Sequence, residues 1–336
     1  MDRVRIGVIG VGNIARNYHL PPVHALPNAE LVAVADLDES LRSRAQKQFG
    51  FLDAYTDYRR ILDRDDIHAV MLLTRVNTRT EIIPAALEAG KHVFTQKPFA
   101  LTNEDAEFLA QVADRTGNRL VCSFMHRYFP HTQGARQILK EGKIGRLEMV
   151  RHRNCIGSHY DNAVRLWGGV LDIGTHGIDV IRYLTEQDVV KVQAMMDPYL
   201  INATLPIDPT INRPNETVAI MNFEMSGGTL VTFEMHWTQR GGAGAYYAEH
   251  YGDEGSMFIK HPIAPATLVY TRGRKGDWIQ PDLEQHPKGH LHHKIFIDDI
   301  LNNTCESAPP EDAVATVKII NAAYEAAQTG KTITVG

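Results

Sequence analysis

The stretch VRIGVIGVGNIA, residues 4–15, decides the fold of this 336-residue chain. Its first six positions are mostly apolar and β-branched, which predicts a buried strand. Gly10, Gly12 and Ala15 follow directly, where a stretch with helical character begins at Asn13. Glycines at this point let the backbone turn tightly and approach a pyrophosphate, whose negative charge the free N–H groups of a helix start can bind. The stretch therefore predicts a dinucleotide-binding turn.

Asp36 supports that prediction. The Gly-x-Gly-x-x-Ala pattern is weak by itself, but Asp36 ends the next predicted strand, 21 residues after Ala15. A carboxylate there can bond both ribose hydroxyls of the adenosine half, and it would repel the 2′-phosphate of NADP. No Arg or Lys follows at positions 37 and 38. We therefore predict NAD as the preferred cofactor and keep NADP as the alternative, because Arg42 could turn toward the ribose.

Strands and helices alternate through the first third of the chain. The predicted strands are 4–9, 31–35, 69–73, 93–95 and 120–122, and the predicted helices are 13–25, 40–49, 82–89 and 103–116. Such alternation predicts a parallel, doubly wound sheet. The residues expected to contact the cofactor are Gly10, Gly12, Asn13, Ile14, Ala15, Asp36, Thr74, Gln96 and Lys97.

The pattern changes after about residue 122. Helices are predicted at 132–141, 169–184, 293–302 and 311–329, and strands at 145–152, 189–195, 216–225, 228–237, 246–251, 256–259 and 266–270. The Pro-rich stretch 197–214 is predicted to be a long surface loop. The predicted fold class is an α/β Rossmann N-terminal domain, residues 1–122, plus an α+β C-terminal domain, residues 123–336, with a large, mostly antiparallel open sheet.

Composition excludes several classes of protein. A formal net charge of −5 argues against a nucleic-acid partner, because such proteins usually carry a basic excess. No stretch approaches the roughly 20 apolar residues that cross a bilayer, and the N-terminal apolar run is too short for a signal peptide. The three cysteines, Cys122, Cys155 and Cys305, are odd in number and widely spaced. The sequence therefore predicts a cytoplasmic protein without a membrane partner.

A lysine stands at another strand end. The segment GKHVFTQKP, residues 90–98, places Lys97 just after a predicted strand. Ligands of doubly wound sheets lie at this edge, and Pro98 fixes its φ and lacks an N–H, so the chain turns sharply there. Lys97 could thus project over a nicotinamide ring. Without other support, a lysine at a strand end is more often a solvated surface residue.

The segment GGVLDIGTHGID, residues 168–179, is the second candidate for chemistry. On a helix, Asp172 and His176 lie at positions i and i+4, with Asp179 near the next turn. An imidazole can exchange a proton near neutral pH, and a neighbouring carboxylate supports its charged form. The alternative is an ordinary solvent-facing pair. The glycines in this segment argue against that alternative. Glycine destabilises a helix, and this cost is useful only where another group must approach the backbone closely.

The sequence resembles the Gfo/Idh/MocA family over nearly the whole chain. The resemblance rests on the glycine turn at residues 10–15, the Lys97-Pro98 pair and the segment from Asp172 to Asp179. Weaker similarities are RYFP at 127–130, GKIG at 142–145 and GDEGS at 252–256. The family is named for glucose-fructose oxidoreductase and inositol dehydrogenase. The resemblance implies a Rossmann domain followed by an α+β domain whose open sheet often forms dimers or tetramers, so a homodimer or homotetramer is expected.

The resemblance also implies roles for individual residues. Lys97 would hold the reacting hydroxyl oxygen, His176 would exchange the hydroxyl proton, and Asp172 would bind substrate and assist His176. Arg127 is a further expected substrate contact. The implied function is an NAD(P)-dependent dehydrogenase that acts on a CH–OH carbon of a polyol, sugar, cyclitol or sugar derivative. Two alternatives remain: a non-catalytic sensor that binds NAD(P) and a sugar, and an enzyme that reduces another carbonyl or C=C compound.

Two departures from the family pattern concern the neighbourhood of Lys97. The usual glutamate before the Lys-Pro pair is Gln96 here, so a carboxylate that would pair with Lys97 is missing. Arg75 and Arg79 replace the family's usual proline and histidine, close to the cofactor edge. Either arginine could bind an acidic substrate group or simply face solvent. These departures make the identity of the substrate less certain to predict than the class of reaction.

A histidine cluster near the C-terminus raises the possibility of a metal. It consists of His290, His292 and His293, with His286 nearby. No acidic or cysteine partner completes a recognisable ligand spacing. The sequence therefore predicts no metal site.

Overall fold

The computed structural model describes residues 2–155, 168–197, 216–236, 246–261, 267–273, 275–283 and 290–336. The chain divides into two compact units, Met1–Tyr128 with His286–Val317, and Phe129–Gln285 with Lys318–Gly336. The first unit thus takes in a late segment that lies within the predicted C-terminal domain, residues 123–336. No helix within the described ranges combines the length and the apolar character needed to cross a membrane.

The first unit is built on a parallel sheet. Its described strands are β1 (Val4–Ile9), β2 (Ala29–Ala35), β3 (Asp53–Tyr55), β4 (Ala69–Leu72), β5 (His92–Thr95) and β6 (Leu120–Cys122). The strand order is β3-β2-β1-β4-β5-β6, and each neighbouring pair is parallel. The chain order reverses between β1 and β4, which is where ligands bind in sheets of this topology.

Helices cover both faces of this sheet. They are α1 (Leu20–His24), α2 (Glu39–Phe49), α3 (Arg59–Leu62), α4 (Arg79–Glu88), α5 (Asn103–Thr116), α8 (His290–Asn302) and the first part of α9 (Pro310–Thr329). Alternate strand residues enter different cores, as Val70 packs with α4 and α5 whereas Met71 packs with Phe296 of α8. Buried faces on both sides explain why these strands read as continuous apolar runs.

The second unit contains a larger sheet. Its described strands are β7 (Leu147–Cys155), β8 (Val189–Asp197), β9 (Val218–Met225), β10 (Leu230–His236), β11 (Tyr246–Gly252), β12 (Gly255–His261), β13 (Thr267–Arg272) and β14 (Ile333–Thr334). They pair in the order β13-β12-β11-β7-β10-β9-β8-β14. Only β7 and β10 run parallel among the described pairs.

One face of that sheet packs against α6 (Pro130–Lys140) and α7 (Thr175–Thr185). Residues such as Ile138, Val180 and Ile259 form the core between them. The predicted fold class, a Rossmann domain followed by a mostly antiparallel open sheet, is confirmed. The predicted loop 197–214 lies outside the described residues except for Asp197, which ends β8.

Two helical segments begin with a π turn. Ala15–His19 precedes α1, and Val170–Gly174 precedes α7. A π turn inserts one residue into the helix and often marks a functional position. Both π turns lie in stretches that the sequence singled out, the dinucleotide-binding turn and the Asp172–Asp179 segment.

Candidate active site

The glycine turn after β1 fits a dinucleotide. Gly10 has φ +88°, and a Cβ atom there would stand 2.8 Å from Cγ2 and 2.9 Å from the amide nitrogen of Thr74, so the position accepts glycine only. At Gly12 a Cβ would meet no atom within 4 Å. The helix start beside Gly12 is therefore open to a ligand, as a bound pyrophosphate requires.

Asp36 is held against this turn. Its Oδ2 accepts a hydrogen bond from Val11 N–H at 2.8 Å, and its Oδ1 accepts one from Asp38 N–H at 2.9 Å. The Arg42 guanidinium donates to the Asp36 carbonyl oxygen at 2.5 Å. The guanidinium of Arg42 thus lies next to Asp36, just after β2.

The other expected cofactor residues line the same edge of the sheet. Asn13 Oδ1 accepts from Arg16 Nη2 at 2.8 Å, the side chain of Ile14 is exposed, and Ala15 is buried. Thr74, which follows β4, places its Oγ1 2.6 Å from Thr78 Oγ1. The predicted cofactor residues therefore follow the carboxyl ends of neighbouring parallel strands: the glycine turn follows β1, Asp36 follows β2 and Thr74 follows β4.

Lys97 follows β5 at the same edge, in a cis peptide bond with Pro98. Its N–H donates to Gln96 Oε1 at 2.8 Å, which turns the Gln96 Nε2 atom toward His19, 2.9 Å from His19 Nε2. His19 Nδ1 lies 2.8 Å from His293 Nε2. An amide nitrogen only donates, so His19 accepts at Nε2 and donates from Nδ1 to His293.

Burial keeps His19 in the uncharged form that this arrangement needs. The ring is fully buried, and burial lowers its pKa from 6.5 to about 4. A glutamate at position 96 could not donate to a neutral imidazole. Gln96 therefore fits the tautomer of His19 that donates from Nδ1 to His293, whereas a glutamate would fit the tautomer with its proton on Nε2.

Arg79 and Arg75 have different surroundings. Arg75 is exposed, whereas Arg79 is 1% exposed and directs Nη2 toward the carbonyl oxygen of Lys97 at 3.5 Å. Its Nε and Nη1 make no hydrogen bond within the described residues. Burial lowers the pKa of Arg79 to about 10, so the guanidinium is still charged at neutral pH. Arg79 does not face solvent, so that alternative is wrong for this residue. Its guanidinium lies next to the carbonyl oxygen of Lys97.

The second unit carries Asp172 and His176. Asp172 lies in the π turn and is partly exposed, while His176 is 8% exposed and Asp179 is fully buried. The interpretation of this segment as an ordinary solvent-facing pair is therefore wrong. The nearby Gly177 has a packing role, because a Cβ atom there would stand 2.4 Å from Phe233 Cζ.

Glu216 anchors the start of this segment, a role that no sequence pattern predicts. Its carbonyl oxygen accepts from Gly169 N–H at 2.8 Å, and its Oε1 accepts from Val170 N–H at 2.6 Å. Tyr324 O–H donates to the same Oε1 at 3.0 Å. The side chain is fully buried. A buried carboxylate thus fixes the backbone from which Asp172 projects.

Arg127, the further expected substrate residue, lies in the first unit. It is buried, donates from Nη1 to Asp312 at 2.7 Å and stands 5.4 Å from the centre of the Phe124 ring. These contacts give Arg127 a structural role, and a contact with substrate stays a prediction. Lys97 and Arg127 belong to the first unit, and Asp172 and His176 to the second.

The histidine cluster differs from the one expected. His19 joins His292 and His293, and all three rings are buried. His290 begins α8, but its side chain and all of His286 lie outside what the structure describes. The sequence offered no signal for His19, because its partner His293 lies 274 positions away.

Comparison with protein families identifies the chain. Residues 4–124 match the model described as the oxidoreductase family with an NAD-binding Rossmann fold, and residues 132–258 match the Gfo/Idh/MocA C-terminal domain. The chain belongs to the Gfo/Idh/MocA family. The predicted family, its NAD-binding domain and its oxidoreductase class are therefore confirmed.

Relatives of this Gfo/Idh/MocA protein include sugar and cyclitol dehydrogenases. A myo-inositol 2-dehydrogenase of Thermotoga maritima is 24% identical over 92% of both chains. A levoglucosan dehydrogenase of Pseudarthrobacter phenanthrenivorans is 30% identical, over 55% of this chain and 52% of the relative. The crystal structure of scyllo-inositol dehydrogenase from Lactobacillus casei with NAD(H) and scyllo-inositol has a TM-score of 0.81 at 23% identity, covering 99% of each chain. That structure supports the fold.

Proposed function

We propose that this chain oxidises a CH–OH carbon of a cyclitol, sugar or sugar derivative to a carbonyl, or catalyses the reverse reduction, with NAD preferred over NADP. The observation that carries the proposal is the position of Lys97, directly after β5 at the sheet edge where Gly12 and Asp36 form the dinucleotide turn. The names of the relatives, inositol dehydrogenases and a levoglucosan dehydrogenase, support the substrate class.

The proposed chemistry needs a cation and a proton acceptor. NAD, when bound, takes the hydride from the substrate carbon. The Lys97 ammonium stabilises the negative charge that develops on the substrate oxygen, and His176 takes the hydroxyl proton. Asp172 hydrogen-bonds substrate and supports the charged form of His176. In the reverse direction His176 returns the proton to the oxygen as the carbonyl is reduced.

A screen of substrates followed by variants tests this proposal. Cyclitols, aldoses, uronic acids and nucleotide sugars are offered with NAD and with NADP, and reduced nicotinamide is measured by absorbance. Lys97→Ala and His176→Ala should each lose about a hundredfold to ten-thousandfold in turnover while still binding NAD. Asp172→Asn should lose less, because the amide still forms hydrogen bonds.

The double variant Lys97→Ala with His176→Ala adds a check on joint action. Its loss should be much smaller than the product of the two single losses, as expected of residues that act together. Near-normal turnover in His176→Ala would remove the proton-transfer role. No turnover of the parent protein on any polyol or sugar would contradict the proposal and favour a sensor that binds without reacting.

We also propose that the protein forms a homodimer or homotetramer through the face of the larger sheet opposite α6 and α7. Met195 pairs with Ile220, and Leu230 pairs with Met149, and all four side chains are exposed on that face. Exposed apolar side chains on a sheet face often mark an interface. Sedimentation equilibrium should show an oligomer in the parent and a smaller species in Leu230→Asp. A monomeric parent would contradict the interface. The cytoplasmic location stays a prediction.

A further inference from the structure

A compact cluster of three buried histidines lies next to Gln96. His19 ends the π turn before α1, and His292 and His293 lie on α8. One ring nitrogen from each residue lies within 4.8 Å of the other two. The ring centres of His292 and His293 are 3.9 Å apart, and that of His19 is 5.1 Å from His293. The chain thus brings three imidazoles to one point from two distant segments.

Hydrogen bonding accounts for only part of this cluster. His19 uses Nε2 with Gln96 and Nδ1 with His293. His292 places Nε2 3.3 Å from Ser123 Oγ, but its Nδ1 is buried and has no hydrogen-bond partner within the described residues. A buried ring nitrogen without a partner is unfavourable. The arrangement therefore leaves His292 with an unused ligand atom in a fully buried setting.

The surroundings suit a transition metal better than a hard cation. Neutral imidazoles bind zinc, copper and nickel, whereas magnesium and calcium prefer oxygen ligands. Three histidines are a known zinc ligand set, with the fourth position held by a small ligand. Phe94 packs against all three rings, with centres 5.0 to 5.7 Å away. An apolar wall of this kind limits access of water to the cluster.

We propose that His19, His292 and His293 bind one divalent transition-metal ion, for which zinc is the best match. His19 Nδ1 and His293 Nε2 are 2.8 Å apart, whereas two nitrogens on one tetrahedral zinc at about 2.0 to 2.1 Å stand roughly 3.4 Å apart. Binding therefore replaces the hydrogen bond between these rings and separates them by about half an ångström. The metal would join the π turn of His19 to α8.

Metal binding would also change the group that faces Gln96. With the metal on Nδ1, the proton of His19 lies on Nε2, so position 96 must accept a hydrogen bond where it now donates one. The Gln96 amide can rotate to do this, but a carboxylate accepts without rotation and reduces the local positive charge. Gln96→Glu should therefore bind zinc more tightly than the parent, by about tenfold or more.

The experiment measures metal binding directly, on full-length protein without a histidine tag. Zinc is titrated in competition with a chromophoric chelator, and cobalt(II) is used to read coordination from its visible absorption. We expect one zinc per chain and a tetrahedral cobalt spectrum. His292→Phe keeps an aromatic ring but removes a ligand and should lose at least about a hundredfold in zinc affinity. His24→Phe, which alters an exposed histidine of the same unit, is the matched control and should bind as the parent does.

Several outcomes overturn the proposal. Equal zinc affinity of the parent and His292→Phe, or absence of a tetrahedral cobalt spectrum in the parent, would show that the cluster is a hydrogen-bonded core only. If His292→Phe does not fold, the parent's zinc stoichiometry and cobalt spectrum still decide. Weaker zinc binding in Gln96→Glu than in the parent would contradict the assignment of His19 Nδ1 as a ligand. Each readout is independent of enzyme activity.

Discussion

Single side chains around β5 are matched to the charge state of their neighbours. Gln96 both accepts from Lys97 N–H and donates to His19, a combination that a carboxylate cannot provide. Since burial lowers the pKa of His19 to about 4, the ring stays neutral at physiological pH, accepting from Gln96 at Nε2 and donating to His293 from Nδ1. The residue that departs from the family pattern thus fits the buried histidine beside it.

The choice between NAD and NADP is expected to depend on Asp36. Its carboxylate should repel the 2′-phosphate of NADP and hydrogen-bond the ribose of NAD, so titrations of the parent should show tighter binding of NAD. Asp36→Ala should reduce this preference by about tenfold to a hundredfold, because a hydrogen bond to a charged group contributes about 1.5–3 kcal/mol.

Asp36→Asn is the matched control for that substitution. The amide oxygen can still accept from Val11 N–H, so the turn is kept while the charge is removed. If charge sets the preference, Asp36→Asn should reduce it nearly as much as Asp36→Ala. Equal or tighter binding of NADP by the parent would show that Arg42 dominates instead.

At the scale of elements, Glu216 connects β9 to the segment that carries Asp172. Glu216→Ala would leave the buried Val170 N–H and Tyr324 O–H without their acceptor, at a cost of about 1–3 kcal/mol each. Turnover should therefore fall, while NAD affinity stays unchanged because the predicted cofactor residues belong to the other unit. Kinetics and NAD titration of the same preparation measure the two effects.

Two further variants separate positioning from general loss of stability. Glu216→Gln keeps an oxygen that can accept both hydrogen bonds and should recover most of the turnover. Tyr324→Phe removes one donor and leaves Val170 paired, so its effect on turnover should be small. Normal turnover in Glu216→Ala would show that the π turn is held by its other contacts.

The sequence was sufficient for elements with strong local signals. The bounds of β1, α5 and β6 agree with prediction, because each is a periodic apolar run and Thr102 caps α5 by accepting from Asp105 N–H. It missed β3, which has three half-buried residues, and the parallel pairing of β7 with β10. Strand pairing depends on contacts between distant segments that no local pattern contains.

The candidate site shows the same division. Lys97, Asp36 and Gly10 follow strand ends, where topology alone predicts a ligand edge. Glu216 and His19 could not be predicted from the sequence, because their hydrogen-bond partners are distant in sequence and come close only in the folded chain. The sequence pattern also left open whether Arg79 and His176 face solvent, and the structure shows that both are buried.

At the scale of the whole molecule, buried histidines should make the protein sensitive to acid. Burial lowers the pKa of His152 to about 3 and that of His250 to about 4, from 6.5. Below pH 6.5, these two histidines therefore bind protons in the unfolded chain but stay neutral in the folded chain. The stability that the two neutral histidines contribute is fully present above pH 6.5. As the pH falls from 6.5 toward 4, the free energy of unfolding decreases by up to about 1.4 kcal/mol per pH unit for each histidine.

Urea unfolding between pH 7 and pH 4.5 measures this dependence. Trp278 belongs to the second unit, as do His152 and His250, so tryptophan fluorescence includes a reporter in the relevant unit. His250→Gln should give a shallower dependence on pH than the parent. A free energy of unfolding that does not change over this range would contradict the prediction.

The first unit is discontinuous in sequence, and this affects its synthesis. Phe296, Ile297 and Ile300 of α8 complete the core beneath β1, β4 and β5, yet the ribosome produces them only after Phe129–Gln285, the main segment of the other unit. Domains usually fold in the order in which they emerge. Here the nascent dinucleotide-binding sheet must wait with one apolar face incomplete until α8 has been synthesised, which gives chaperones an interval in which to bind it.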